Sequence, residues 1–145
     1  MLRTENEYKE ALRRLAKDRD VIALQRVNLK ELGLNVEQTE RAMQPSICFY
    51  DQLKEEVEAY EKLRRGDFDP LNNLTQIGML LIGTRIALDM SQADLAHRLG
   101  VSQACVSRDE RNEYHGVTVE KAQRILEALG VEIYIRVEEP LLRAA

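Results

Sequence analysis

The sequence predicts a mainly α protein: an N-terminal helical hairpin, then a compact domain of four to five short helices, then one C-terminal β-strand. Apolar residues recur at intervals of three and four through most of the 145 residues, the spacing that places them on one helix face. Capping residues and glycines divide that pattern into separate helices. Strict alternation of apolar and polar residues, the signal of a half-buried strand, stands near the C-terminus alone.

Thr4 followed three residues later by Glu7 is a capping box, and Tyr8, Leu12, Leu15, Ile22, Leu29 and Leu32 follow at mostly helical intervals. One long amphipathic helix is expected, with the charged run Lys17-Asp-Arg-Asp20 as a solvated face. Gly33 stops it. Asn35 with Gln38 is a second capping pair, and it opens a short helix expected to end before Pro45, because a residue preceding proline is pushed out of the helical region. Pro45-Ser46 then begins another helix, whose seam is Phe49, Leu53, Val57, Tyr60 and Leu63. Neither helix can bury its seam alone, so they are expected to fold on each other, on a second copy of the chain, or both.

Gly66-Asp-Phe-Asp-Pro-Leu-Asn-Asn73 reads as a linker. The expected organisation is therefore a hairpin over 1–65, a linker over 66–73, a helical domain over 74–130 and a dimerising strand and tail over 131–145. The first helix of the domain runs from about Thr75 to Leu88, with Ile77, Leu81, Ile86 and Leu88 as candidates for burial and Arg85 interrupting the apolar stretch. Ser91 caps a helix that carries Leu95, Ala96 and Leu99 and ends at Gly100, where a left-handed residue costs glycine nothing. Val101 is expected to be buried in the turn. Ser102 caps the next helix, whose apolar side holds Val106 and either Ala104 or Cys105, and Ala96 is small where the two helices approach. Thr118 and Gly130 bracket the last helix. The strand follows, with Val131, Ile133, Ile135 and Val137 on one face. A lone strand leaves its backbone groups unpaired, which predicts pairing with the same strand of a second subunit across a two-fold axis and hence a homodimer.

Two short helices joined by a tight turn, Ser91 to Glu110, form a helix-turn-helix, in which the second helix enters the major groove of DNA. Gln92, Gln103, Ser107 and Arg108 have chemistry suited to base edges and phosphates. The wording Ser91-Gln-Ala-Asp-Leu-Ala-His-Arg-Leu-Gly-Val-Ser-Gln-Ala-Cys-Val-Ser-Arg-Asp-Glu110 resembles the Cro and phage-repressor type (XRE) helix-turn-helix. The resemblance extends upstream through Thr84-Arg85-Ile-Ala-Leu-Asp-Met90 and downstream through Glu120 to Gly130, covering roughly Leu74 to Gly130. It implies a lambda-repressor-like domain in which Gln92 and Ser102 touch phosphates, Gln103 and Arg108 read base edges, and Arg111 holds the DNA backbone. Ala104, Cys105 and Ser107 would add contacts to thymine methyls or waters, and Arg85 would pair with Glu110. Asn112 stands where the family often has glycine, and tolerates the left-handed conformation. Asp109 replaces a usual apolar residue, so an early end to that helix is expected, with Asp109 in solvent and Tyr114 supplying the missing contact. The opening Arg3-Thr-Glu-Asn-Glu-Tyr-Lys-Glu-Ala-Leu12 is similar to the start of HigA-type antitoxins, which implies a toxin protein as an alternative partner.

Composition sets the remaining bounds. The chain carries 32% charged and 44% hydrophobic residues, fitting a foldable soluble protein, and no apolar run approaches the roughly 20 residues that span a bilayer. The charged N-terminus lacks a secretory core, so the cytoplasm is the expected location and no membrane partner is expected. Cys48, Cys105, His97 and His115 have no metal-ligand spacing, and no Gly-rich phosphate loop or nucleophile elbow occurs. No enzymatic activity, metal or cofactor is expected. The net charge of −4 demands that any DNA face concentrate its cations locally, with Arg98, Arg108 and Arg111 as candidates, or act as a dimer. The expected function is that of a sequence-specific regulator of transcription, a homodimeric repressor on double-stranded DNA. The alternative is an antitoxin that holds a toxin through its N-terminal helices and represses its own operon.

Overall fold

The computed structural model describes residues 1–137, which form six helices. The part of the expected C-terminal strand and tail over 138–145 lies outside the described residues. Helix α1, Glu5–Glu31, starts at Thr4, whose hydroxyl and Glu7 complete the reciprocal capping box, and it runs unbroken through Lys17 to Asp20. Gly33, at φ 88°, turns the chain. Helix α2, Val36–Arg64, opens on the Asn35–Gln38 capping box and contains Pro45 in its interior.

The two helices expected on either side of Pro45 are thus one helix. A proline there removes a backbone hydrogen bond and crowds the preceding turn, at a cost of about 3 kcal/mol. Burial on both sides offsets it: Thr39 and Met43 before the proline, and Val57 and Tyr60 after it, are all buried, while Pro45 itself is exposed. The seam expected on this helix is also shorter than its spacing suggests. Val57 and Tyr60 are buried and Leu53 and Leu63 half-buried, whereas Phe49 is 67% exposed, like Leu32 beyond the end of α1.

A single 3₁₀ turn, Leu74–Gln76, leads into α3, Ile77–Ala87. Helix α4, Gln92–Leu99, begins at the Ser91 cap and ends at Gly100, φ 68°. Helix α5, Gln103–Arg111, begins at the Ser102 cap, and α6, Val119–Leu129, lies between Thr118 and Gly130. One apolar core joins these elements. Leu81, Ile82 and Ile86 of α3, Leu95 and Ala96 of α4, Val106 of α5, and Ala122, Ile125, Leu126 and Leu129 of α6 are all buried in it. Two expected members are not: Leu88, at the C-terminal end of α3, is 46% exposed and Val101, in the turn between α4 and α5, is 43% exposed.

The hairpin is built into this core. Tyr60 of α2 is a buried member of the same cluster, and Met1, Leu2, Tyr8 and Leu63 pack against it. The Tyr8 and Tyr60 rings stack at 4.9 Å, and the Tyr8 hydroxyl donates to Glu61 at 2.7 Å. Residues 66–73, expected as a linker, lie against α3. A methyl group on Gly83 would stand 2.7 Å from Phe68 and 2.9 Å from Leu63.

The C-terminal strand is absent among the described residues. Residues 131–137 have no ladder, because a strand needs a neighbour to exchange hydrogen bonds and one copy of this chain offers none. Val131 and Ile133 rest against the core. Tyr134, Ile135 and Val137 are 89%, 73% and 83% exposed, so the expected apolar face of the segment is only half covered.

Candidate nucleic-acid interface

Helices α4 and α5 are two short rods locked at a tight turn, and each piece of that geometry has a local cause. The Ser91 hydroxyl accepts from the Asp94 N–H at 3.0 Å, and the Asp94 carboxylate accepts from the Ser91 N–H, also at 3.0 Å. These bonds satisfy amides that a helix start leaves open, and the contact with Ser91 holds the Asp94 carboxyl below the usual carboxylate range. Gly100 reverses the chain so that Val101 N–H reaches back to the Ala96 carbonyl at 3.0 Å. The Ser102 hydroxyl accepts from the Cys105 N–H at 3.2 Å and starts α5.

Ser102, Gln103, Ala104, Arg108 and Arg111 are exposed, with Ser107 and Cys105 half-buried beside them. Gln92 is placed differently. Expected to meet phosphate, its side chain is only 7% exposed; its amide donates to Glu110 at 2.8 Å and its carbonyl accepts from the Gln103 amide at 3.3 Å. Arg85 and Glu110 face each other in the interior, 3% and 0% exposed, joined by two parallel bonds of 2.5 and 2.7 Å. Arg85 donates further to the carbonyls of Met90 and Arg3, each at 2.8 Å.

The charges of α5 are sorted by this packing. Glu110 is neutralised by Arg85, and the carboxylate of Asp109 accepts from Lys121 of α6 at 2.8 Å. Arg108 and Arg111 have no acidic partner among the described residues. An acidic chain thereby presents an exposed surface on α5 whose free charges are positive. Arg98, expected in the same patch, is elsewhere: its guanidinium donates to the Ala128 carbonyl at 2.9 Å, at the end of α6.

The end of α5 also departs from expectation. The helix does not stop at Asp109 but continues to Arg111, because Lys121 supplies an ionic partner where an apolar contact is missing. Tyr114 does enter the core, 5% exposed. Asn112 keeps a right-handed φ of −87°, and the left-handed residues are Glu113 and Tyr114, both at φ 52°. Positive φ at two successive side-chain-bearing residues costs on the order of 1 kcal/mol or more each, offset here by burying the Tyr114 ring. The turn carries the Glu113 carbonyl against α3 at Gly78, where a Cβ would stand 1.9 Å from that oxygen.

Three residues that hold the interface were not found by sequence reasoning. Arg3 reaches the Arg111 carbonyl at 3.5 Å and the Glu113 carboxylate at 3.9 Å, Lys121 pairs with Asp109, and Gly78 admits the turn. None has a signal at helical or strand spacing, since each acts on a partner in another element. Val131, Ile133, Ile135 and Val137, expected to join two copies, lie on the segment after α6, apart from these groups in the chain.

Residues 84–135 match a family model described as Helix-turn-helix. No curated protein and no solved structure matches the chain. The matched stretch contains α4, the turn, α5 and all of α6; it is a helix-turn-helix domain, a fold of DNA-binding regulators. No helix among the described residues is long and apolar enough to cross a membrane.

Proposed function

We propose that this protein is a sequence-specific DNA-binding repressor that works as a homodimer. The observation that carries the proposal is the sorting of charge on α5: both acids are paired, Glu110 with Arg85 in the interior and Asp109 with Lys121 at the half-exposed edge of the helix, while Arg108, Arg111 and the Ser102–Gln103 end of the helix are exposed. Phosphate neutralisation supplies much of DNA affinity, and base edges are met by the N-terminal part of the second helix. In this reading α5 enters the major groove, Gln103 and Arg108 face base edges, Ser102 and Arg111 meet the backbone, and Ala104 and Ser107 line the groove. Gln92 supports Gln103 from behind. Repression would follow from occlusion of a promoter.

The homodimer rests on the segment 131–137, which leaves Tyr134, Ile135 and Val137 exposed and has no ladder partner among the described residues. Antiparallel pairing of Val131 to Val137 with the same residues of a second copy would satisfy both. Two α5 helices about 34 Å apart would then meet successive major grooves. Sedimentation at micromolar concentration should give twice the monomer mass; a persistent monomer contradicts the pairing.

Binding is tested with Arg108→Ala. Affinity for the selected operator should fall far more than affinity for random duplex, and equal losses on both would remove Arg108 as a base reader. A second reading, an antitoxin that represses its own operon, is favoured by apolar side chains exposed on the hairpin, Leu24 at 61%, Val27 at 51% and Phe49 at 67%. Co-expression with the product of an adjacent toxin-sized reading frame should give a stable complex that is lost in Phe49→Glu; without such a complex this reading falls.

A further inference from the structure

We propose that the outer face of α1 is a docking surface for a second copy of this chain, and that two copies pair α1 against α1, antiparallel and centred on Leu24. One side of α1 is turned inward: Ala11 is buried, and Leu15, Asp18, Ile22, Arg26 and Leu29, at intervals of three and four, are half-buried. On the other side Val21, Leu24 and Val27 are 42%, 61% and 51% exposed. At about 3.6 residues per turn, these three share about a third of the helix circumference with Lys17, Asp20, Asn28 and Glu31, all four of them exposed. The pairing is additional to the one proposed for 131–137 and does not depend on the DNA-binding reading.

What selects a second copy as the occupant is that this face is complementary to itself. In an antiparallel pair with Leu24 on the two-fold axis, a residue a given number of positions before Leu24 stands level with the residue as many positions after it in the other copy. Val21 is then level with the partner's Val27, apolar against apolar, three positions from the axis. Four positions away, the carboxylate of Asp20 meets the partner's Asn28, an acceptor against an amide that can donate. Seven positions away, Lys17 meets the partner's Glu31, and symmetry makes every such contact twice. These end charges are available: other charges of α1 are paired within the chain, Arg14 with Asp18 and Arg26 with Glu40, but Lys17 and Glu31 have no ionic partner among the described residues. Lys17, Leu24 and Glu31 also recur every seven residues, the spacing of a coiled-coil seam. A parallel pair would set lysine against lysine and glutamate against glutamate, so charge fixes the direction.

The test uses the full chain carrying Ile135→Glu, a change at an exposed residue that blocks pairing of 131–137 and leaves α1 untouched. Sedimentation up to submillimolar concentration should still give twice the monomer mass. Adding Leu24→Glu, which sets two like charges together on the axis, should reduce it to the monomer. A monomer already in the Ile135→Glu chain overturns the α1 pairing. If the natural protein is then a dimer, strand pairing at 131–137 alone accounts for it; if the natural protein is also a monomer, both pairings fall. A face kept for a foreign protein gives the same monomer and overturns the proposal equally. Exchange of charge reads the register at residues whose exposure spares the fold. Lys17→Glu or Glu31→Lys alone opposes like charges twice and should weaken dimerisation roughly tenfold, the scale of two reversed exposed ion pairs. The double variant, and an equimolar mixture of the two single variants, should restore it. Single variants that associate as tightly as the parent, or a double variant or mixture that stays weak, overturn the antiparallel register and the proposal with it.

Discussion

Arg85 shows how much of this molecule depends on single side chains. It is buried and joins Glu110, the Met90 carbonyl and the Arg3 carbonyl. Removing one partner of a buried ion pair strands the other charge away from water, so Arg85→Ala should lose about 3–5 kcal/mol in urea denaturation. Gly78 is as constrained for a steric reason. A methyl group would meet a backbone oxygen, which cannot rotate away as a side-chain end can, so Gly78→Ala should lose about 1–3 kcal/mol or more by the same measurement. Tyr114 makes the pH dependence explicit. Burial first, then the negative charges of Glu110 and Asp109, push its hydroxyl well above the ordinary 10.0. The neutral form is the one the fold favours, so this contribution is complete below pH 10 and is lost as the pH rises above it, where the unfolded chain ionises. Tyr114→Phe should therefore flatten the decline of stability measured between pH 10 and 12.

At the scale of elements, α2 carries a defect that can be repaired. Pro45 is exposed and surrounded by helix, so Pro45→Ala restores a backbone hydrogen bond and relieves crowding at a small cost in unfolded-state entropy. A gain of about 2 kcal/mol is expected from thermal unfolding with the fold unchanged; a loss would mean that the kink itself is needed for packing. The start of α4 behaves oppositely. Ser91→Ala deletes a side-chain cap and should lose about 1 kcal/mol. These helices were legible in the sequence because their signals are local: Thr4, Asn35, Ser91, Ser102 and Thr118 each bond an amide three residues on. The end of α5 was less legible, because it depends on whether Asp109 finds a cation, and Lys121 lies on another helix.

On the scale of the whole molecule, the hairpin and the helix-turn-helix share a core, so a change in one should be felt in the other. Tyr60 lies on α2 yet belongs to the same buried cluster as the core residues of α3 and α6. Tyr60→Ala should lose about 3 kcal/mol or more and accelerate amide hydrogen exchange in α3 and α6 as well as in α2; acceleration confined to α2 would mean that the two parts open independently.

What the sequence by itself determined is the capped starts of the helices at Thr4, Asn35, Ser91, Ser102 and Thr118, the stops at Gly100 and Gly130, and the polar face of α5, since caps, left-handed glycines and apolar periodicity act within one or two turns. Only the tertiary structure decided what those helices do to one another. It merged the two helices around Pro45, drew Gln92 inward, paired Asp109 with Lys121 and brought Arg3 to Arg85 across 82 residues of chain. The physical reason is that burial and ion pairing depend on distance in space, which a linear sequence does not record.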